Sequence, residues 1–263
     1  MQKISISVAI ITLNEADRLP RCLKSIEFAD EVIVVDSGSH DNTLDIAEQW
    51  GCAVYSHPFS SFSRQKQFAV DQCKHQWVLL MDADERIPTE TADAIRRIVT
   101  SCPGDVAAYG FRRKNYFHHR WIRHCGWWPD RVIRLFRRDI GSFSTNSVHE
   151  RWVAQGTIKQ LNNDIEHFSY RNYTEMIDKL QRYSTLAARD LANGSPQLSA
   201  LTPVTHGAWM FVKTYLFELG VLCGFDGIII SLLNAGGSFM KYAKCREILL
   251  YGTPDENLKN TTR

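Results

Sequence analysis

Apolar and polar positions alternate in blocks along the first hundred residues, and the blocks predict repeated strand and helix units. Apolar runs between polar turns predict strands at 4–12, 31–35, 52–55 and 77–81. Between them, apolar residues recur at helical spacing, as Leu19, Leu23 and Ile26 do after the first strand. Strands that alternate with helices usually pair in parallel through right-handed crossovers, so we predict a Rossmann-like half.

Beyond Pro103 the alternation stops, and the pattern predicts a mixed, partly antiparallel extension with strands at 107–112, 131–136, 156–161 and 165–168. A helix is predicted over 173–191, and two more helical stretches lie between 203 and 250. We therefore predict an α/β fold with a mixed sheet and a C-terminal helical extension. The predicted domains are 1–170, with halves 1–105 and 106–170, and a helical region 171–263.

Composition and charge narrow the class of protein. The chain has 263 residues, 44% of them apolar, and a net charge of +2, which argues against a dominant nucleic-acid surface. Its seven scattered cysteines include no Cys-x-x-Cys pair, so we expect reduced thiols in a cytosolic protein. No signal peptide is evident in residues 1–11, and Glu218 and Asp226 interrupt the most apolar later stretch, 215–233, which makes it a poor membrane span.

Carboxylates follow the most apolar strand and mark the candidate chemistry. Asp82, Asp84 and Glu85 come directly after the run 77–81. In open α/β sheets the ligand crevice lies beyond the carboxyl ends of the strands. Asp82 and Asp84 can offer oxygen ligands to Mg²⁺ or Mn²⁺, which in turn bind phosphate oxygens, whereas the alternative is a surface loop with solvated acids.

Two other strand ends converge on the same crevice. Thr12, Asn14 and Glu15 follow the first strand, and Asp36 ends the second, where it can bind a base or ribose or can serve as a turn residue. No Gly-x-Gly-x-x-Gly follows the first strand, which argues against the usual redox dinucleotide site.

Three motifs occur in order at a spacing that resembles glycosyltransferase family 2. They are residues 10–15 (IITLNE), 34–43 (VVDSGSHDNT) and 80–85 (LMDADE). Within that family the chain is similar to the bacterial lipopolysaccharide core β-1,4-glucosyltransferases, and this likeness extends through 147–150 (SVHE), 166–170 (EHFSY) and the C-terminal helices. The resemblance implies a GT-A fold, a nucleotide-sugar donor and inversion at the anomeric carbon.

The resemblance also implies roles for individual residues. Thr12, Asn14 and Glu15 would border the nucleotide, Asp36 would bond uracil, and Lys66 would lie near the base and diphosphate. The stretch Arg64 to Gln67 departs here from the Arg-Asn pairing that is commoner in the family. Asp82 would face the ribose and a divalent metal (Mg or Mn). Asp84 would be the principal metal ligand, and Glu85 would be a supporting or salt-bridging residue.

An inverting transfer needs a base that removes the proton of the acceptor hydroxyl. Glu150 is our candidate, with Asp130 and Asp164 as competing carboxylates and an ion pair with Arg151 as the structural alternative. His149 and His167 are candidates for orienting substrate or approaching the metal, although a lone histidine is more often structural.

A basic, aromatic segment between residues 112 and 138 is the predicted acceptor surface. It contains nine lysines or arginines, one acid and three histidines among several aromatic residues. Aromatic faces stack on sugar rings and arginine forks bind phosphates, which suits an anionic glycolipid and gives Arg112, Trp127, Trp128 and Arg131 as acceptor candidates. His149, outside this segment, is a further acceptor candidate. Nucleic acid is not expected, because no recognition motif accompanies the segment.

These inferences predict an enzyme that transfers glucose from UDP-glucose to a heptose of the lipopolysaccharide inner core. It would be cytoplasmic and peripheral at the inner membrane, with the C-terminal helices either in the interface or packed internally. The alternatives are another UDP-sugar or glycan acceptor, a nucleotidyltransferase, or a catalytically silent scaffold at the membrane surface.

Overall fold

The computed structural model describes residues 5–101, 104–144 and 152–252, and two compact units divide the chain. The first unit comprises Met1–Tyr116 and Pro129–Ser169, and the second comprises Phe117–Trp128 and Tyr170–Arg263. The predicted domain boundary at residue 170 stays a prediction, since compactness alone does not test independent folding.

Strands and helices alternate through the first hundred residues, as the sequence pattern predicts. The elements are β1 (Ile6–Thr12), α1 (Leu19–Ser25), β2 (Glu31–Asp36), α2 (Thr43–Gln49), β3 (Ala53–Ser56), α3 (Phe62–Asp71), β4 (Trp77–Asp82), β5 (Glu85–Arg86) and α4 (Thr89–Ser101). The chain then adds β6 (Val106–Phe117), β7 (Arg120–Trp121), β8 (Asp130–Arg137), β9 (Gly141–Phe143), β10 (Trp152–Ala154) and β11 (Thr157–Tyr170). The last helices are α5 (Tyr173–Asn193), α6 (Thr202–Val212) and α7 (Phe225–Tyr251).

The main sheet of the first unit is mixed, which confirms the predicted fold class. Its strand order is β3-β2-β1-β4-β8-β6-β11-β5, with β3, β2, β1 and β4 parallel to one another. The antiparallel strand β8 follows β4, and β9 and β10 form a separate antiparallel pair. Because β2, β1 and β4 are adjacent and parallel, their carboxyl ends lie next to one another.

The parallel strands are buried on both faces, because their side chains alternate between two apolar clusters. Val8 and Ile10 of β1 belong to the cluster that also contains residues of α1 and α4, such as Leu23 and Ile95. Ala9 and Ile11 belong to the other, which contains α3 residues such as Val70. Two covered faces hold the strands in one register, so their polar ends are fixed in position.

Strand β11 differs from the prediction of two strands at 156–161 and 165–168. The polar residues 162–164 suggest a turn, yet the strand continues through them. Arg112 Nε donates to Asp164 Oδ1 at 2.8 Å, Lys114 Nζ lies 2.7 Å from Asp164 Oδ2, and Thr91 Oγ1 donates to the Asp164 carbonyl at 2.7 Å. These partners satisfy the polar groups of Asp164, so the strand can continue through this position.

The second unit is mainly helical. Asn172 caps α5 by accepting from the Glu175 amide at 2.9 Å. Lys244 of α7 reaches α5, where its Nζ donates to the Gln181 carbonyl at 3.0 Å and to Thr185 Oγ1 at 2.7 Å. A small apolar core includes Phe117, Ile122, Cys125, Met176, Cys223 and Ile230. Across residues 5–101, 104–144 and 152–252, no helix combines the length and apolar character that a membrane crossing requires.

Candidate active site

The three predicted strand ends of the first unit are neighbours. Thr12 at the end of β1 is in register with Asp36 of β2, and Ile11 is in register with Asp82 of β4. Thr12 is nearly buried, and within the described part of the chain its Oγ1 has no hydrogen-bond partner. A buried hydroxyl without a partner is costly, so this atom is available to a bound ligand.

The loops after β1 and β2 lock each other in place. Asn14 donates its amide to Ser39 Oγ at 2.8 Å, and its Oδ1 accepts from the His40 amide at 2.8 Å. The Glu15 amide donates to Thr43 Oγ1 at 2.9 Å. Asn14 has a φ of 55°, a left-handed conformation that asparagine tolerates better than most residues. The predicted nucleotide-binding loops are therefore preorganised.

Asp36 is a turn residue in this arrangement. Its buried carboxylate accepts from the Gly38 and Ser39 amides at 2.8 Å each, and from Ser39 Oγ. A carboxylate has about four acceptor positions, so Asp36 can still accept from a base. The predicted bond to uracil stays a prediction.

A buried cationic side chain that the sequence pattern did not identify holds the acids after β4. Arg134 of β8 donates to Asp82 Oδ2 at 2.6 Å and also to Glu85 Oε1. The side chains of Arg134 and Glu85 are almost fully buried, and that of Asp82 is 26% exposed. Glu85 accepts from the Asp82 amide at 3.2 Å and pairs with Arg113 at 3.5 Å. Glu85 therefore forms salt bridges with Arg134 and Arg113, as the salt-bridging role predicted for it requires.

This ion pair shifts the protonation equilibria of both partners. Burial disfavours the charge on Asp82, but Arg134, Lys66 and Arg113 outweigh burial and hold the pKa of Asp82 below its usual range. Burial also opposes the charge on Arg134, yet Asp82 and Glu85 raise the pKa of its guanidinium. Both groups are therefore ionised at neutral pH.

Replacing Arg134 by Leu should destabilise the fold by about 3–5 kcal/mol at pH 7, because the cation that contacts both Asp82 and Glu85 is removed and only the longer pairing of Glu85 with Arg113 remains. The depressed pKa of Asp82 contributes stability that is present above the unfolded value, about 3.9, and is lost as pH falls through the folded value. The mutant lacks this contribution, so the difference from wild type should shrink below about pH 4.

Urea unfolding of both proteins between pH 3 and pH 7 measures this difference. Arg137→Leu is the matched control, because Arg137 is on the same strand and pairs with the half-exposed Asp139, which predicts a loss below about 1 kcal/mol. An equal loss in both variants, or a pH-independent loss in Arg134→Leu, would contradict the buried ion-pair account.

The Asp84 carboxylate lies between the side chains of Arg18 and His167. Its Oδ2 is 3.8 Å from Arg18 NH1 and 3.4 Å from His167 Nε2. Arg18 also lies 3.5 Å from Glu15, so it links the loop after β1 to the acid after β4. The Asp84 side chain is largely buried.

The ring of His167 is fixed from its other side. Its Nδ1 is 2.6 Å from Asn115 Oδ1 and 2.9 Å from Ser169 Oγ. Because Asn115 Oδ1 is an acceptor, a proton on Nδ1 suits this contact, and that tautomer would leave Nε2 able to ligate a metal beside Asp84. A carboxylate oxygen and an imidazole nitrogen are both ligands that divalent metals accept. A hydrogen bond to the other ring nitrogen keeps the imidazole oriented for this role.

The donor set fits one divalent ion bound by two protein ligands. No group of three or more metal-ligating side chains occurs within residues 5–101, 104–144 and 152–252. Asp84 and His167 could supply two ligands to a divalent ion that also binds phosphate oxygens and water. Asp82, the other predicted ligand, pairs with Arg134 through Oδ2, and its predicted metal contact stays a prediction.

Helix α3 contributes two buried polar residues beside the loops. Lys66 is close enough to Asp82 for its charge to lower the pKa of that carboxyl. Gln65 donates to Ser37 Oγ at 3.0 Å and contacts His57 Nδ1 at 2.8 Å through its Oε1. Gln65 thereby supports the loop after β2. The sequence analysis does not identify Gln65, because no local pattern indicates that its side chain is buried.

The predicted acceptor residues fall in different parts of the chain. Arg112 pairs with Asp164, and Arg131 donates to the Leu161 carbonyl at 3.2 Å, both in the first unit. Trp127 and Trp128 belong to the second unit. His149 and Glu150 lie outside the described residues.

The two competing base candidates are ion-paired. Asp130 accepts from Arg113 at 2.7 Å and from Asn115 at 3.3 Å. Asp164 pairs with Arg112 and Lys114. Both carboxylates are therefore engaged within the first unit, and the assignment of proton removal to Glu150 stays a prediction.

Comparison with known proteins identifies the family. The family described as Glycosyl transferase family 2 matches residues 7–161. An uncharacterized glycosyltransferase of Rickettsia felis is 34% identical over 95% of this chain and 92% of its own. The lipopolysaccharide core biosynthesis glycosyltransferase LpsC of Rhizobium meliloti is 28% identical over 92% of each chain.

A solved structure is also similar. Glucosyl-3-phosphoglycerate synthase from Mycobacterium tuberculosis, in complex with Mn²⁺, UDP and glucosyl-3-phosphoglycerate, aligns at 17% identity with a TM-score of 0.46. The alignment covers 71% of this chain and 80% of that chain. The family match over more than half of the sequence, together with the relative at 34% identity, shows that this chain belongs to glycosyltransferase family 2.

Proposed function

We propose that the protein transfers glucose from UDP-glucose to a heptose of the lipopolysaccharide inner core, with inversion and with a divalent metal. The observation that carries this proposal is the pair of Asp84 and His167 beside the interlocked loops after β1 and β2. The pair suits a metal-bound diphosphate, and the loops suit the nucleoside attached to it.

Donor binding would use residues that are already held in place. Thr12 Oγ1 and the Asp36 carboxylate would bond the base, and Asn14 and Glu15 would border the nucleoside. Lys66 would face the diphosphate, with Asp82 near the ribose. Because Arg134 and Gln65 fix Asp82 and the loop after β2, little reorganisation should be needed when the donor binds.

The departing diphosphate needs counter-charge as the bond to the sugar breaks. A divalent ion held by Asp84 and His167, with Asp82 as the further candidate ligand, would supply Lewis-acid stabilisation of that charge. Asn115 and Ser169 would keep the His167 ring in the orientation that directs Nε2 toward Asp84.

The acceptor hydroxyl must lose a proton as it attacks the anomeric carbon. We assign this step to Glu150, from the family resemblance of the stretch Ser147 to Glu150. Attack by the hydroxyl on the face opposite the diphosphate inverts the configuration, and UDP leaves. Arg112, Arg131, Trp127, Trp128 and His149 are the proposed acceptor residues, and an anionic lipopolysaccharide core is the acceptor class that suits their charge and aromaticity.

The relative LpsC supports the acceptor class by its name alone, at 28% identity. We expect the enzyme to act at the inner face of the bacterial inner membrane, where the lipid-linked core is assembled. The test is a transfer assay with UDP-glucose, UDP-galactose and UDP-N-acetylhexosamines, using purified core oligosaccharide that ends in heptose. The proposal predicts a β-linked glucosyl product and UDP, whereas release of pyrophosphate from a nucleoside triphosphate would indicate a nucleotidyltransferase.

A further inference from the structure

The connection between α6 and α7 in the second unit, together with the first residue of α7, exposes a dense group of apolar side chains. We call this group the apolar tip, and it consists of Leu216, Phe217, Leu219, Val221, Leu222 and Phe225. Each member is at least 46% exposed, and Phe217 is 70% exposed. Single exposed apolar residues are ordinary, but six within ten positions form a patch that marks an interaction site.

The polar groups of the same connection point the other way. Glu218 pairs with Lys213 at 3.4 Å, and its carbonyl accepts from the Cys125 amide at 2.9 Å. Asp226 pairs with Arg120 at 3.4 Å, and Arg120 also donates to the Cys223 carbonyl at 3.2 Å. Both acids are thus neutralised within the unit. This arrangement is the reverse of a water-facing loop, which would expose its charges.

The backbone of the connection is held in this shape. Gly227 lies so close to the Gly220 carbonyl that a Cβ on Gly227 would be 1.8 Å from that oxygen. Leu219 has a φ of 56°, a conformation that is unfavourable for a bulky side chain. A glycine or asparagine would fit this turn at lower cost, yet the position carries an apolar side chain that faces outward.

Cationic and interfacial aromatic residues surround the apolar tip. Lys213 and Arg120, both about half exposed, and the exposed Arg123 belong to the segments that hold the connection. Residues 117–128 contain three histidines and no acid. Trp209 is 57% exposed and packs on Phe217 with ring centroids 5.9 Å apart. Tryptophan beside lysine and arginine is the pattern found where proteins meet the lipid headgroup layer.

We propose that the apolar tip inserts into one leaflet of an anionic phospholipid bilayer while Lys213, Arg120 and Arg123 contact the phosphate groups. This inference rests on the proposed function only in that a lipid-linked acceptor would be found at that surface. The charge pattern selects the occupant. Lys213, Arg120 and Arg123 outnumber Glu218 and Asp226, so the residues around the patch carry a net positive charge, which together with tryptophan complements an anionic headgroup layer. In this proposal the α6–α7 connection is the element that inserts into the membrane, whereas the sequence pattern alone points to the C-terminal helices as the membrane-contacting region.

Flotation of the full-length protein with vesicles tests the proposal without any sugar substrate. Vesicles of phosphatidylglycerol and phosphatidylethanolamine should bind the wild type, and vesicles of phosphatidylcholine should bind it more weakly. The double variant Phe217→Ser/Leu222→Ser should lose at least about tenfold in partitioning, since two exposed apolar side chains no longer transfer from water. Its melting temperature should stay near wild type because both side chains are mostly exposed.

Two matched variants separate the contributions. Trp50→Ser removes an exposed aromatic side chain of the first unit and should leave partitioning unchanged. Arg123→Gln should weaken binding to the anionic vesicles and reduce its dependence on salt, with little effect on neutral vesicles.

Failure of this inference is distinguishable from failure of the proposed function. The inference is overturned if the wild type does not float with anionic vesicles, or if the tip variant floats equally well. It is also overturned if light scattering shows that the wild type is a dimer and the tip variant is a monomer, because the patch would then bind a second copy of the chain. Vesicle binding by a protein that binds no nucleotide sugar would leave the inference standing and reject the proposed function.

Discussion

Asp84→Ala should lower the transfer rate by a factor on the order of 10²–10³, because the departing diphosphate loses a charged anchor for its counter-ion. The fold should survive, since Arg18 keeps its pairing with Glu15 and His167 keeps its bonds to Asn115 and Ser169. Steady-state transfer from UDP-glucose, measured across Mn²⁺ and Mg²⁺ concentrations, reports the loss. The metal concentration for half-maximal rate should also rise.

The control for this variant is Asp93→Ala. Asp93 is a half-exposed acid on α4 that pairs with Arg96, so its removal should leave both the rate and the metal response near wild type. An unchanged metal-dependent rate in Asp84→Ala would reject the assignment of Asp84. Equal losses in the two variants would indicate a general effect of lost negative charge.

Glu150→Gln should reduce transfer to the acceptor by roughly two to four orders of magnitude, because the amide keeps the shape of the side chain but cannot take a proton. Donor affinity should stay near wild type, since the base acts on the acceptor hydroxyl and the diphosphate is held elsewhere. We would measure the transfer rate, the UDP-glucose affinity and the melting temperature of this one mutant. Together these values distinguish a catalytic role of Glu150 from a structural role. A structural pair with Arg151 instead predicts slightly lower thermal stability and nearly normal transfer.

Asp130→Asn is the comparison that this assignment requires. Asp130 is bound by Arg113 and Asn115, so its substitution should affect stability more than the proton-transfer step. Normal transfer in Glu150→Gln, together with lost transfer and intact donor binding in Asp130→Asn, would move the base to Asp130.

The parts of the fold that the sequence predicts well are those whose signal is local. The run 77–81 is apolar at every position, so its burial on both faces could be predicted without knowing its neighbours. The position of Asp82 and Asp84 at its end followed from the same run. The pattern gave less guidance in 157–170, where polar residues of a strand are satisfied by Arg112 and Lys114 from another strand.

The contacts that complete the candidate site join residues that are distant in sequence. Arg134 meets Asp82 across 52 positions, and no alternation along β8 distinguishes position 134, because residues 134–136 are all buried. His167 reaches Asp84 from another strand, and Asn115 orients its ring from a third. A pattern of apolar positions carries no information about which buried charges will pair, so these residues could be found only in three dimensions.

The position of the exposed apolar tip could likewise not be predicted from the sequence. The sequence shows an apolar region between 215 and 233, but apolar residues there suit internal packing as well as lipid contact. Which side chains face outward is decided by the Gly220 and Gly227 contact and by the inward pairing of Glu218 and Asp226.

Calorimetric titration with nucleotide sugars, in the presence and absence of Mn²⁺, tests the account most directly. The central claim is that the ends of β1, β2 and β4 bind a UDP-sugar through a metal held by Asp84 and His167. It predicts that UDP-glucose binds the wild type with Mn²⁺, binds much more weakly without it, and loses the metal-dependent part in Asp84→Ala. A wild-type protein that binds no member of a panel of nucleotide sugars with Mn²⁺, or binds UDP-glucose equally well in Asp84→Ala, would contradict it.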